Sequence, residues 1–289
     1  MRRIAHLSDV HILDPQHRRS STRYRFAAKA VSLGRPVDPR TRARKLARGL
    51  AAAKASGADH FVLSGDLTEL GDATEFEYFA NILDDAKLPD GSVTLVPGNH
   101  DAYTSGSAWR RALEGPLKPY AAASATDPGK VVDRGDVVIL PINTSSYQSI
   151  AFSGGTFTPD AAKAVQARID DPSLKNKTLL IVQHHPPFEQ HKNPVAQWID
   201  GLRGCKHVLD MLANHPRLSI LHGHLHRVVD RIVGLSRVAS ARREDSRVAG
   251  AATKARILGA PAVCDDADEK PRVRLYDVRD GALEAVGLY

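Results

Sequence analysis

Val93-Thr94-Leu95-Val96-Pro97-Gly98-Asn99-His100-Asp101 is the stretch on which the reading of this fold turns. The apolar run Val93 to Val96 reads as a buried strand, and Pro97-Gly98 stops it and turns the chain. Three side chains of different chemistry follow at once. Asn99 offers a neutral oxygen to a cation, and His100 exchanges a proton near neutral pH. Asp101 is placed to hold that imidazole in one orientation. Taken alone, Gly98 to Asp101 reads equally well as a polar turn.

Working outward, four more apolar strands end the same way. Arg3 to Leu7 ends at Ser8-Asp9-Val10-His11, and His60 to Leu63 at Ser64-Gly65-Asp66. Lys177 to Gln183 ends at His184-His185-Pro186-Pro187, and Leu218 to Leu221 at His222-Gly223-His224-Leu225-His226. In open α/β sheets, ligands gather beyond the carboxyl ends of the strands, so residues remote in sequence meet when their strands lie side by side. The one-residue gap in Asp9-x-His11 and His224-x-His226 sends both side chains to one side of an extended segment. Gly65, Gly98 and Gly223 allow a tight turn beside a crowded centre.

Between these strands the pattern turns helical. Tyr24 to Leu33 and Thr41 to Ser56 read as helices, the second closed by Gly57. Asp72 with Glu75 forms a capping box for a helix to about Lys87, and Thr158-Pro159 opens another with proline in its first turn. Late β-like runs, Val228 to Val233, Arg256 to Val263, Val273 to Val278 and Leu283 to Leu288, read as hairpins. The whole predicts an α/β chain with a parallel-rich core and antiparallel additions. We expect a single domain over 1–289, with a basic helical insertion at about 14–48 and a C-terminal hairpin region at about 256–288.

The ligand set is carboxylate, imidazole and amide oxygen without thiolate, which suits Mn, Fe or Zn over a structural cysteine site. Two Asp, one Asn and four His exceed the needs of one tetrahedral ion. They suffice for two ions sharing a carboxylate, about 3.5–4 Å apart as in two-metal hydrolytic sites.

These five motifs in this order resemble the calcineurin-like metallophosphoesterase superfamily, over Ile4 to His226. Asp66-Leu67-Thr68-Glu69 and His184-His185-Pro186-Pro187 resemble its cyclic-nucleotide (class III) phosphodiesterase branch. The resemblance implies a four-layer αββα sandwich of two mixed β-sheets flanked by helices. It implies metal ligands Asp9, His11 and His226 for one ion, Asn99, His184 and His224 for the other, and Asp66 between them. It places His184 rather than its neighbour His185 on the metal, and makes His100, oriented by Asp101, the catalytic proton donor. The implied activity is hydrolysis of phosphodiester bonds by a metal-bound hydroxide, first on a nucleotide-type substrate such as a 3',5'-cyclic nucleotide. A hydrolase of lipid-linked pyrophosphate or of a glycerophosphodiester is the alternative. A nuclease or a non-catalytic scaffold is less supported, since all seven ligands and His100 are present.

Charge refines the partners. The chain carries +7 overall, but Asp14 to Arg48 alone holds eleven Lys and Arg against two Asp, a net +9 that leaves the remainder slightly acidic. A small anionic phosphoester fits this better than stable nucleic-acid binding across the whole surface. The basic segment is either a set of solvated helix faces or a cap near the metal centre, with Tyr24 and Phe26 offered to a base or an acyl chain. The cap would make turnover salt-dependent through Arg18, Arg19, Arg23 and Arg25, and leaves peripheral membrane contact open. No stretch approaches the roughly 18 apolar residues of a membrane span. The first strand begins almost at Met1, and Cys205 and Cys264 stand apart; both point to a cytoplasmic protein with reduced thiols. Trp109 and Trp198 both read as packing residues, with Trp198 in a loop that could also border the pocket.

Overall fold

The computed structural model describes residues 2–16, 22–32, 34–35, 37–234, 237–240, 255–265, 270–279 and 281–289. In chain order the first elements are β1 (Arg2–Leu7), α1 (Thr22–Val31), α2 (Pro39–Ala55), β2 (His60–Ser64), α3 (Ala73–Asp85) and β3 (Val93–Val96). Then come α4 (Ala108–Glu114), β4 (Val132–Asp133), β5 (Val137–Pro141), β6 (Gly155–Thr156), α5 (Pro159–Ile169) and β7 (Thr178–Val182). The last third holds α6 (Pro194–Asp200), β8 (Leu202–Arg203), α7 (Cys205–Asn214) and β9 (Leu218–His222). It closes with β10 (Val229–Gly234), β11 (Arg237–Ser240), β12 (Arg256–Gly259), β13 (Arg274–Arg279) and β14 (Ala282–Leu288).

Two mixed sheets form the centre. One runs β14-β13-β1-β2-β3 and the other β11-β10-β12-β9-β7-β5-β4. The neighbours β1, β2 and β3 are parallel, as are β5, β7, β9 and β12. Ile4, Val62, Val96, Ile139, Leu180, Leu221 and Tyr276, drawn from both sheets, form the core between them. The outer face of the first sheet packs on α2, α3 and α4 through Leu46, Leu50, Phe76, Phe79 and Trp109. The outer face of the second packs on α5 and α7 through Val165, Val208 and Leu212. This is the four-layer αββα arrangement. With both faces covered, β2, β5, β7 and β9 are buried at every position, which is why they read as unbroken apolar runs rather than alternating ones.

Local chemistry sets the helix starts. Asp72 and Glu75 form the reciprocal capping box of α3. The Thr158 side chain accepts from the Ala161 amide at the start of α5, ahead of Pro159. α2 begins two residues before the expected Thr41, because Asp38 caps it by accepting from the Thr41 amide at 2.9 Å.

The expected hairpin region at 256–288 divides between the two sheets. β12 ends at Gly259 and runs parallel to β9, so Arg256 to Val263 is not one hairpin strand. Within this region β13 and β14 pair as a hairpin, and β13 lies antiparallel to β1 in the other sheet. After β12, Ala262 bridges to Ser8 and the Cys264 amide donates to the Asp9 carbonyl. No helix among the described residues is long and apolar enough to cross a membrane.

Candidate metal centre

β1, β2 and β3 are parallel in one sheet and β7 and β9 in the other, and contacts of His184 with Ser64 and of His224 with Asp9 join the two sets, so all five motif loops meet at one end of the sandwich. Backbone bonds lace the loops together. The Val10 and His11 amides donate to the Asp66 carbonyl, both at 2.9 Å, and Gly223 N donates to the His184 carbonyl at 3.0 Å. The His224 amide donates to the Asp9 carboxylate at 3.1 Å, and the His100 amide to Asp66 Oδ1 at 2.9 Å.

Backbone conformation marks the same positions. Asp9, His11, Asp66, His224 and His226 all sit in the left-handed region, at φ of 53°, 51°, 50°, 68° and 54°. Each such residue costs about 1–3 kcal/mol, and strain of this kind collects at functional sites. The glycines have two distinct tasks. Gly65 turns the chain at φ +94°, whereas Gly98 and Gly223 have no positive φ and supply room. A Cβ on Gly98 would strike Asp66, and one on Gly223 would strike Ser8.

Three of the metal-type histidines, His184, His224 and His226, have one ring nitrogen tied down and the other aimed inward. His184 Nδ1 donates to the Ser64 carbonyl at 2.8 Å, leaving Nε2 at 3.3 Å from Asp66. His226 Nδ1 donates to Asp265 at 3.0 Å, leaving Nε2 at 3.4 Å from Asp9. His224 Nε2 donates to the Asp200 carbonyl at 3.0 Å, which leaves Nδ1. His11 Nδ1 lies 3.3 Å from Glu69, and its Nε2 3.7 Å from Asp66. Outer partners of this kind fix ring orientation and tautomer for metal binding. Asn99 donates from Nδ2 to the Tyr103 hydroxyl at 2.7 Å, which turns Oδ1 inward. Among the described residues, Asn99 Oδ1, both ring nitrogens of His11 and His184 Nε2 are buried polar atoms without a hydrogen-bond partner. Orphaned lone pairs facing two carboxylates fit a pair of cations.

The electrostatics agree. Burial disfavours charge on His184 and His226, yet Asp66 and Asp9 outweigh it and lift these rings to about 9 and about 10. Burial opposes the ionised form of Asp9 and Asp66 too, but His226 and His184 hold both below the usual carboxylate range. Burial and the neighbouring His100 push His11 down to about 3. The pocket therefore favours positive charge between its two carboxylates.

Asp101 acts differently from expectation. Asp101 does not touch the His100 ring. Its carboxylate accepts from the amides of Leu67, Thr68 and Gly98 at 3.0, 2.9 and 2.8 Å, and from the Thr68 hydroxyl at 2.7 Å. It clamps the loop after β2 to the loop after β3. The His100 ring is instead held by the Glu69 carbonyl, which accepts from Nδ1 at 2.7 Å. The reason is geometric: the helical turn beginning at His100 sends successive side chains in different directions. His185 has both ring nitrogens engaged, Nδ1 with the Thr144 hydroxyl at 2.8 Å and Nε2 with the Ser153 carbonyl at 2.9 Å. Its ring approaches those of His184 and His224, but no nitrogen is left for an ion.

Glu69, Asp200, Asp265 and Tyr103 were not singled out from sequence. Glu69 stands inside the quoted Asp66 to Glu69 stretch, a signal that was available. Asp200 and Asp265 carry no local signature.

The basic insertion is described only in part. Arg18 and Arg19, and the side chains of Arg23, Tyr24 and Arg25, lie outside the described residues. Lys29, Arg40, Arg44 and Arg48 are exposed, while Arg42 and Lys45 are buried. α1 packs through Ala28 and Val31 on Leu13 and Leu70, with Tyr103 alongside, so it lies next to the site. Trp109 is packing, its Nε1 donating to the Ala125 carbonyl.

Fold and site together define a phosphoesterase hydrolase on a two-sheet sandwich. The model of the calcineurin-like phosphoesterase family matches residues 2–228, and the chain belongs to that family. Comparison with curated proteins finds no match. Among solved structures, a dimetal phosphatase from Danio rerio superposes with a TM-score of 0.63 at 15% identity, over 95% of this chain and 92% of that one. The protein TT1561 of Thermus thermophilus superposes at 0.55 and 15%, over 99% and 98%. The purple acid phosphatase PPD1 from yellow lupin (Lupinus luteus) seeds superposes at 0.56 and 10%, over 100% of this chain and 52% of that one. At these identities the likeness is one of fold.

Proposed function

We propose that this chain is a binuclear metallophosphoesterase that hydrolyses phosphodiesters, with a nucleotide-type diester such as a 3',5'-cyclic nucleotide as its substrate class. The observation that carries the reading is the convergence of seven donor side chains from five strand ends on one pocket, with inward lone pairs left unpaired. Asp9, His11 and His226 hold one ion; Asn99, His184 and His224 hold the other; Asp66, near both His11 and His184, lies between. When bound, the two cations neutralise phosphate charge and make a water molecule acidic enough to attack near pH 7. Mn, Fe and Zn all suit these donors.

The remaining roles belong to the protein. His100, with Nδ1 committed to the Glu69 carbonyl, turns Nε2 to the pocket and hands a proton to the departing oxygen. Tyr103 keeps the Asn99 oxygen facing in. Asp101 holds the Asp66 and Asn99 loops in register.

Support for a base-bearing substrate comes from the rim. Trp198, 55% exposed, meets Phe152 edge to face at 5.3 Å. Both are tied to the site, Trp198 through Asp200 two residues on and Phe152 through its own carbonyl and that of Ser153. A stacked base gains about 1–3 kcal/mol on such a platform. The second reading, a lipid-linked substrate, draws on Phe26, 77% exposed on the helix beside the site.

The test is a panel of bis-p-nitrophenyl phosphate, p-nitrophenyl phosphate and cyclic AMP with Mn²⁺. Preference for the diesters, with KM for cyclic AMP rising at least fivefold in Trp198→Ala, supports the proposal. Turnover of the monoester alone overturns it.

A further inference from the structure

The basic insertion buries two cations on the apolar face of α2. Arg42 and Lys45 are each only 2% exposed, in line with Leu46, Gly49, Leu50 and Ala53 on the buried face. A helix that buries two long cations has a strong reason to do so, because unpaired buried charge is expensive. The partners supply the reason. Arg42 Nη1 donates to the Glu69 carboxylate and, at 2.6 Å, to the His11 carbonyl. The Ser32 hydroxyl, from the end of the α1 turn, donates to the other Glu69 oxygen at 2.7 Å. Lys45 Nζ donates to the carbonyls of Cys264 and Asp265 at 3.2 and 2.7 Å. Glu69 lies against His11, and Asp265 holds His226. The same 263–265 loop reaches Asp9, whose carbonyl accepts from the Cys264 amide at 3.2 Å.

Both cations therefore end on the Asp9, His11 and His226 side of the pocket. The contacts that fix His184 and His224, from Ser64 and Asp200, come from elsewhere. We infer that Arg42 and Lys45 are positioning residues for one half of the metal centre: the insertion braces the ion held by Asp9, His11 and His226 and leaves the other ion to the core of the fold. The inference rests on the two-metal reading above.

The test is Mn²⁺ binding by calorimetry on metal-stripped full-length protein, with metal content measured after dialysis. Wild type should show two binding steps. Lys45→Met, which keeps the packing stem and removes the donor, should weaken one step by about 10–100-fold, the range for loss of an outer partner. The other step should stay within about threefold. Arg42→Lys keeps the charge and loses the fork, so it should weaken the same step; it carries the test if Lys45→Met does not fold. Lys45→Arg should restore the lost step. Two unaltered steps in both variants would sink this inference and leave the two-metal reading standing, as would equal weakening of both steps. A wild type that binds fewer than two ions would overturn both.

Discussion

At the residue scale, the site works by assigning each imidazole one outer partner and one inner task. His184, His224 and His226 each have one nitrogen occupied by a carboxylate or a carbonyl, and His11 Nδ1 faces the Glu69 carboxylate at 3.3 Å. Removing the shared carboxylate and removing the proton donor should therefore fail differently. Asp66→Ala should lose both ions, since Asp66 stands within 4 Å of His11 and His184. His100→Gln should keep two ions by elemental analysis while kcat falls by about 10²–10⁴, the usual worth of a general acid. A fully loaded Asp66→Ala protein would remove the bridging role. Asp101 belongs to a third kind: its four accepted hydrogen bonds make it a structural clamp, so Asp101→Asn should cost about 1.5–3 kcal/mol in chemical denaturation.

At the scale of the element, the loops after β1, β2 and β3 are held so close that side-chain volume is excluded. Gly98 has an ordinary backbone, yet a single methyl there would meet Asp66. Gly98→Ala should thus abolish metal binding while helix content by circular dichroism stays native, because the displacement is confined to two loops. Retention of two ions would show that Asp66 can yield. α3 offers a contrast remote from the chemistry. The Asp72 side chain accepts from the Thr74 amide at the helix start, so Asp72→Ala should lower stability by about 1 kcal/mol without altering turnover.

At the scale of the whole molecule, β13 returns from the far end of the sequence to close the first sheet against β1. Arg3 faces Asp277 in that register, and its Nε donates to Asp277 at 2.7 Å. This hydrogen bond holds the Asp277 carboxyl below its ordinary value. A depressed carboxylate lends stability above its unfolded pKa, about 3.9, and loses it as pH falls through the lower folded value. Wild type should therefore exceed Asp277→Asn in urea midpoint at pH 7, and the gap should close below about pH 4. A gap of constant size would place the effect in packing instead of charge.

Some of this was legible residue by residue. The five strand-end motifs, the α3 capping box and the helix start at Thr158 are local, since each depends on neighbours a few positions away. The donor types at those strand ends are written in short stretches too, whereas the choice of His184 over His185 followed from the family resemblance and not from local pattern. What only the tertiary structure decided depends on through-space neighbours. Asp265 meets His226 across 39 positions of chain, and Lys45 meets the Asp265 carbonyl across 220. Asp101 faces backbone amides instead of the ring beside it in sequence, because a helical turn separates adjacent side chains. β12 runs parallel to β9 because register follows from which strands pack together, and a run of Ile and Leu does not name its partner. Local pattern determined the chemistry available; packing decided which atoms point inward and what holds them there.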